Sequence, residues 1–234
     1  MKFNKIYPII ILVALFGCGK SLKEKKKEKY TYDAKPAGAE LSEEKWSHYD
    51  SLYKKMSKAE PIQTGNVRTP AEWEEMQGIL VVWQEFPGIT RNIIKHAVKE
   101  VDVYVACEDS TEVKEYLKSF DIPTQRVKYL ITKTDRPWSR DFGGNSVYAE
   151  DVDSLSFVDW HYNRTRPNDD VVPLKLAEKM GRPVHNTYQE PNNLVHTGGN
   201  FMSDGFGTGF SSKVVLDENP DKSPEEVKAI MKKF

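Results

Sequence analysis

The chain has 234 residues, which is enough for one large domain or two small ones with a sizeable buried core. Its 34 lysines and arginines nearly balance its 35 aspartates and glutamates. No net field therefore favours nucleic acid, and we predict no nucleic-acid partner; charge-driven recognition must be local.

The first 18 residues have the pattern of a bacterial export signal. Two lysines precede an apolar run from Ile9 to Phe16 that is too short to span a bilayer. The sequence LFGC, ending at Cys18, resembles a lipobox, in which the cysteine is acylated and becomes the mature N-terminus. An ordinary signal peptide is the alternative. We expect residues 1–18 to be a lipoprotein signal peptide, with the lipid on Cys18 holding the protein at the membrane surface of the cell envelope.

The number of cysteines limits the possible disulfide bonds. Cys18 and Cys107 are the only cysteines, so a lipidated Cys18 excludes an intrachain disulfide and the fold must depend on its core. Cys107 lies in the apolar segment VDVYVACED, where we expect a buried, unreactive thiol.

Residues 19–66 are polar and begin with a lysine-rich run, which predicts a solvated tether; contact with anionic lipid is the alternative. We predict a short helix near Glu43 to Met56 because its three aromatic residues share one face, namely Trp46, Tyr49 and Tyr53.

After Pro70, apolar strand patterns alternate with helical spacing, which indicates an α/β domain over residues 67–234. Strands are predicted at 79–83, 101–105, 127–132, 145–148, 155–160 and 213–216. Helices are predicted at 89–101, from a cap at Asp109 to about Phe120, and at 172–180 before Gly181.

The last residues predict a helix with a capping box at Ser223 and Glu226 and a proline in its first turn. Its apolar stripe runs from Val227 to Phe234. A stripe that ends with the chain suggests a fold interrupted midway; docking onto earlier strands is the alternative.

Two segments carry charged residues suited to a ligand. In DRPWSRDFGG (135–144), Trp138 offers a flat face and Asp141 a carboxylate, a combination that fits a planar cation. A structural pair of Asp141 with Arg140 or Arg136 is the alternative.

In NRTRPNDD (163–170), Arg164 and Arg166 would face one side of an extended chain and could grip one carboxylate. Neutralisation by Asp169 and Asp170 is the alternative. A third segment, residues 194–210, is glycine-rich but lacks a phosphate-loop pattern, so we expect close backbone packing there.

These three segments, together with TPAEWEEMQGILVVW (69–83), occur in an order that resembles the bacterial peptidylarginine deiminase family of the Porphyromonas type. That family is related to agmatine deiminase. The resemblance implies a pentein-type α/β propeller of repeated strand-helix units, of which residues 67–234 would be the N-terminal portion, truncated before the C-terminal modules.

The resemblance also implies roles for individual residues. Asp141 matches the aspartate that binds the substrate guanidinium, with Trp138 beside it. Arg164 and Arg166 match the arginines that hold the carboxylate of a C-terminal arginine. The family's catalytic histidine, asparagine and nucleophilic cysteine follow the glycine-rich stretch, and no counterpart is found in the 234 residues. We therefore expect no deiminase activity from this chain as written.

Three functional hypotheses follow. The first is a lipid-anchored deiminase that converts peptidyl arginine to citrulline. The second is an agmatine deiminase-like enzyme of putrescine biosynthesis, although agmatine has no carboxylate for Arg164 and Arg166 to bind. The third is a non-catalytic envelope lipoprotein that binds arginine-ended peptides. No residue cluster has metal-ligand spacing, so we expect no metal and no cofactor.

Overall fold

A computed structural model describes residues 57–58, 67–149 and 154–234. The predicted signal peptide and Cys18, and the predicted helix near 43–56, lie outside the described residues, and the predicted tether lies almost wholly outside them. Among the residues that are described, no helix is long and apolar enough to cross a membrane.

Strands and single helices alternate over residues 78–149, and runs of strands occur farther along the chain, so the α/β class is as predicted. The strands are β1 (Ser57–Lys58), β2 (Val67–Arg68), β3 (Gly78–Val82), β4 (Asp102–Cys107), β5 (Val127–Ile131), β6 (Asn145–Ala149), β7 (Ser156–Asp159), β8 (His161–Tyr162), β9 (Val184–Asn186), β10 (Val195–His196), β11 (Phe201–Ser203) and β12 (Gly209–Ser211). The helices are α1 (Pro87–Ala97), α2 (Ser110–Lys118), α3 (Ser139–Phe142), α4 (Val172–Met180), α5 (Val214–Asp217) and α6 (Pro224–Met231).

The first sheet is parallel, with the order β3-β4-β5, and its connections contain α1 and α2. Its central strand is β4, in which Val103 and Val105 are fully buried. Apolar residues of both helices, including Ile94 and Leu117, pack on these valines in one core cluster. The three predicted strands are therefore confirmed, because a central parallel strand must be apolar on both faces.

The second sheet is mixed, with the order β1-β9-β7-β6-β2. Its central strand β7 runs parallel to β9 and antiparallel to β6. Helix α4 contacts strands of both sheets and has the predicted bounds. It ends at Gly181, whose φ of 64° is a left-handed conformation that glycine adopts without steric cost. Over the described ranges neither sheet closes into a ring, so the α/β class is confirmed and the propeller stays a prediction.

The predicted strand at 213–216 is wrong, because this segment forms the short helix α5. Its valines favour a strand locally, but only Val215 becomes buried, against the third core cluster. Asn219 stabilises the turn: its side-chain amide donates to the Val215 carbonyl (2.7 Å) and accepts from the Val195 amide (2.9 Å). Tertiary contacts thus override a weak local β preference.

The last helix, α6, confirms the predicted capping box. Glu226 N–H donates to Ser223 Oγ (3.2 Å), and Ser223 N–H donates to Glu226 Oε2 (2.7 Å). Its stripe is buried against β7 and its neighbours, with Val227 3% and Phe234 5% exposed. Docking of the stripe onto earlier strands is therefore confirmed, and the interruption of the fold stays a prediction.

Replacing Ser223 with Ala should destabilise the domain by about 1 kcal/mol, because the Glu226 N–H loses its acceptor, Ser223 Oγ. Urea denaturation would measure the change in free energy of unfolding. Ser110→Ala is the matched control: Ser110 begins α2, whose cap is Asp109, and we expect no loss there. Equal effects of both variants would contradict the capping argument.

Candidate functional site

Asp141 lies in the short helix α3, between β5 and β6. Its backbone N–H donates to the Trp138 carbonyl (2.9 Å), and the following Phe142 is buried in the main core. Gly143 then donates to the Ser139 carbonyl (2.8 Å), an approach so close that a side chain at Gly143 would overlap that oxygen. The turn thus fixes Asp141 at the end of a core-anchored helix.

The glycine-rich stretch packs directly on Asp141. Thr197 Oγ1 donates to the Asp141 carbonyl (3.1 Å). A Cβ at Gly199 would overlap Asp141 Oδ1, and a Cβ at Gly198 would overlap the Arg140 carbonyl oxygen. The prediction of close backbone packing is confirmed. Gly198 is required because a backbone oxygen occupies the space that a side chain would need, whereas at Gly199 that space is occupied by the Asp141 carboxylate.

The Asp141 carboxylate is not neutralised by its arginine neighbours. Arg140 instead pairs with Glu72 and donates to the Phe201 carbonyl (3.2 Å), and Arg136 pairs with Glu85 (2.8 Å). The alternative of a structural pair with either arginine is therefore wrong. Across 67–149 and 154–234, no cationic side chain lies within ion-pair distance of this carboxylate.

Trp138 is 53% exposed, so much of its ring surface is open to solvent beside α3. It immediately precedes the helix that contains Asp141. Trp138 and Asp141 therefore belong to the same turn. The role of Trp138 in binding stays a prediction.

Arg164 and Arg166 do not lie on extended chain. After β8 the backbone bends, and Arg166 N–H donates to the Arg164 carbonyl (2.9 Å). The expectation that both guanidinium groups face one side of a strand is therefore wrong. Arg164 Nη1 donates to the Asn163 carbonyl (3.0 Å), whereas Arg166 Nη1 donates to Tyr162 Oη (3.3 Å).

Tyr162 links Arg166 to Asp141. It is 2% exposed, and its ring meets that of Phe142 edge-on, with centroids 6.0 Å apart. Burial raises the pKa of Tyr162 to about 12; the charge of Arg166 works against this rise and that of Asp141 adds to it. Arg166 is therefore hydrogen-bonded to this phenol, and the residue that follows Asp141 packs on its ring. Sequence reasoning missed this residue because a tyrosine in a short strand normally indicates core.

Asp169 connects the two charged segments, residues 135–144 and 163–170, through hydrogen bonds. Its Oδ1 accepts from the backbone N–H groups of Asp135 (2.7 Å) and Arg136 (3.1 Å). In return, the Asp135 carboxylate accepts from Asn168 N–H (3.0 Å) and Nδ2 (2.6 Å). Burial raises the pKa of Asp169 to about 6. The hydrogen-bond donors to Asp169 are thus backbone groups, so Asp169 does more than neutralise an arginine.

Cys107 is 2% exposed on β4, and burial raises the pKa of its thiol to about 11. At neutral pH the thiol therefore stays protonated and is a poor nucleophile, which confirms the expected buried, unreactive cysteine. Within the described residues, no three His, Cys, Asp or Glu side chains are grouped to hold a metal ion.

His196 on β10 is fully buried beside the site. Neither ring nitrogen has a hydrogen-bond partner, and the ring meets Trp160 edge-on at a centroid distance of 5.3 Å. Burial lowers the pKa of His196 to about 4. His196 ends β10, and Thr197 joins it to the Gly198–Gly199 contact with Asp141. This neutral ring therefore supports the end of β10 from which the contact with Asp141 begins.

Two large cavities lie next to this site and do not contain it. One of about 720 Å³ is lined by Ser139 and Arg140 of α3 together with residues 69–80. Another of about 930 Å³ lies between β12 and α6. Neither is lined by Asp141, Trp138 or the Arg164–Arg166 pair. These four residues therefore lie outside both cavities.

Replacing Gly199 with Ala should cost about 1–3 kcal/mol of unfolding free energy, because the new methyl group overlaps Asp141. The cost should shrink in an Asp141→Ala background, where the overlapping oxygen is absent. Urea denaturation of the four proteins of this cycle measures the coupling. Gly88→Ala, which meets no atom within 4 Å, is the control. Additive effects of the two changes would contradict the contact.

His196 should make the domain sensitive to acid. The unfolded chain takes up this proton near pH 6.5 but the folded chain only near 4, so stability is lost as the pH falls between these values. The loss is up to about 3 kcal/mol. His196→Leu should remove this part of the slope of unfolding free energy against pH, whereas exposed His96→Gln should retain it. An unchanged slope in His196→Leu would contradict the assignment.

The sequence matches known deiminases. Residues 68–234 match the family model of Porphyromonas-type peptidyl-arginine deiminase. Agmatine deiminases of two Pseudomonas aeruginosa strains, LESB58 and UCBPP-PA14, are each 25% identical over 190 residues, covering 71% of this chain and 50% of theirs. The chain thus spans about half the length of the curated relatives it matches.

The chain is also similar to solved structures. A crystal structure proposed to be a peptidyl-arginine deiminase is 26% identical, with a TM-score of 0.57, covering 72% of this chain and 54% of that one. The C. jejuni agmatine deiminase, at 18% identity, shares the fold with a TM-score of 0.58 over 73% of this chain and 53% of that one. The chain belongs to the Porphyromonas-type peptidyl-arginine deiminase family.

Proposed function

We propose that the protein acts on arginine at the C-terminus of peptides, within a deiminase reaction that yields citrulline and ammonia. One observation carries the proposal: Arg166 donates to buried Tyr162, whose ring packs on Phe142, the residue after Asp141. The Asp141 carboxylate forms no ion pair with any other described residue. A substrate arginine keeps its positive charge, so its guanidinium needs a fixed carboxylate and its own carboxylate needs cationic donors.

Each end of the substrate then has an assigned partner. Asp141 accepts the guanidinium N–H groups while Trp138 covers the planar face. Arg164 and Arg166 donate to the free carboxylate from a bend rather than from a strand, so the carboxylate is approached from two directions. A site that binds each end through an opposite charge favours a substrate that carries both a guanidinium group and a carboxylate.

The chemical step needs groups beyond these. In the proposed reaction a thiolate attacks the guanidinium carbon, a histidine transfers protons as ammonia leaves, and water releases citrulline. Cys107 is buried and protonated, so it does not fit the nucleophile's role. We expect the 234-residue chain to bind arginine-ended peptides without forming citrulline.

The proposal extends to architecture and location. The strand-helix units of residues 67–234 would form the N-terminal portion of a pentein-type propeller. Residues 1–18 would be a lipoprotein signal peptide and residues 19–66 a tether, with Cys18 acylated and the protein anchored in the bacterial envelope. A Cys18→Ser variant that still fractionates with membranes would contradict the anchor.

Agmatine deiminase activity is the second candidate, and the agmatine deiminases among the relatives favour it. The two candidates differ at the carboxylate end. Agmatine has no carboxylate for Arg164 and Arg166 to bind, so a site shaped by those arginines should bind it less tightly than a peptide ending in arginine. Equal affinity for both ligands would favour the agmatine candidate.

Replacing Asp141 with Asn should weaken binding of a peptide ending in arginine by about 10- to 100-fold, because a charge-assisted interaction is lost. Isothermal titration calorimetry on the 234-residue chain measures this affinity. Asp121→Asn is the matched control: it removes one negative charge from an exposed residue whose φ of 54° asparagine also adopts.

Unchanged affinity in Asp141→Asn would remove Asp141 from the site. A parent protein that binds neither the peptide nor agmatine would contradict both candidates. Tight peptide binding without citrulline, in this chain and in any longer form of the protein, would instead support the non-catalytic binding protein.

A further inference from the structure

Tyr162 contacts segments from all parts of the proposed binding site. It lies on β8, two residues before Arg164, and is the register partner of His196, which precedes the Gly198–Gly199 contact with Asp141. Its buried ring meets Phe142, the residue that follows Asp141. The position of this ring is therefore fixed from several sides.

The hydroxyl of Tyr162 restrains Arg166. Arg166 Nη1 donates to Tyr162 Oη at 3.3 Å. A guanidinium group has five N–H donors, so this bond uses one and leaves others for a ligand carboxylate. Arginine loses considerable rotamer freedom when it binds, and a guanidinium that is already held loses less.

Asp141 and Arg166 do not neutralise each other. Both act electrostatically on Tyr162, yet they form no ion pair with each other. Burial keeps the pKa of Tyr162 at about 12, so the phenol is neutral at physiological pH. The charge of each side chain therefore stays available to a ligand.

We propose that Tyr162 determines specificity by positioning: it is fixed by its packing on Phe142 and holds Arg166 so that the remaining N–H groups of the guanidinium can bind the carboxylate of a ligand. The inference rests on the proposed function. It adds a residue that acts through Arg166 rather than on the substrate itself.

The test compares two ligands that differ only at the carboxylate. A tetrapeptide ending in arginine and its C-terminal amide would each be titrated calorimetrically into the 234-residue chain and into Tyr162→Phe. The variant keeps the ring that packs on Phe142 and loses the hydroxyl. We expect affinity for the acid to fall about five- to tenfold, the effect of one hydrogen bond to a charged group, and affinity for the amide to stay unchanged.

Two further variants sharpen the result. Tyr129→Phe is the matched control, because its inaccessible hydroxyl has no hydrogen-bond partner, and it should keep the parent ratio of affinities. Arg166→Lys leaves Tyr162 in place but replaces the planar fork with a single ammonium, and it should lower the ratio as Tyr162→Phe does. Unfolding curves of each variant establish that it is folded.

The outcomes separate this inference from the proposed function. If the parent prefers the acid and Tyr162→Phe prefers it as strongly as the parent does, the role of Tyr162 is overturned but the proposed function is not. Equal losses for acid and amide would show a structural effect and also overturn it. A parent that binds neither ligand would overturn both proposals.

Discussion

The reciprocal hydrogen bonds between the loops at Asp135 and Asp169 hold the candidate site together. Each carboxylate accepts two N–H groups from the other segment. The loop that leads to Asp141 and the loop that carries the two arginines are thereby fixed to each other rather than to solvent. Because Asp169 is fully buried, losing one partner would leave a desolvated charge, so the connection acts as a unit.

The layers beneath these loops explain why the connection forms where it does. Helix α4 begins three residues after Asp169 and enters the core between the two sheets, while β5 ends four residues before Asp135. Both loops therefore leave the same core cluster from adjacent elements. The candidate site therefore lies where well-buried elements, β5 and α4, adjoin loops, and these elements hold the short loops in place.

Much of the framework followed from local pattern. The apolar runs predicted strands β3 to β7, and the capping residues predicted α4 and α6, because burial on both faces and satisfied helix ends leave clear signatures. Pattern failed at α5, where a single buried valine and Asn219 outweigh β preference. It also failed at the arginine pair, since a bend made by one backbone hydrogen bond has no periodicity to detect.

Only part of the candidate site could be predicted from the sequence. Asp141 and the glycines stood out because a carboxylate beside an aromatic residue suits a planar cation and glycines allow close backbone approach, and their contact is confirmed. The functions of Tyr162 and Asp169 depend on partners that are far away along the chain or belong to the backbone. Asp169 accepts from residues more than thirty positions away, and no composition or spacing rule encodes such a bond.

The burial of Cys107 has a practical consequence. It is the only cysteine in residues 67–234, and its thiol is neither accessible nor ionised at neutral pH. Thiol-directed dyes react with the thiolate at exposed positions. A single cysteine introduced on the surface near Trp138 would therefore be the one labelled position of the domain, so that fluorescence or spin-label distances could follow ligand entry with the native thiol left in place.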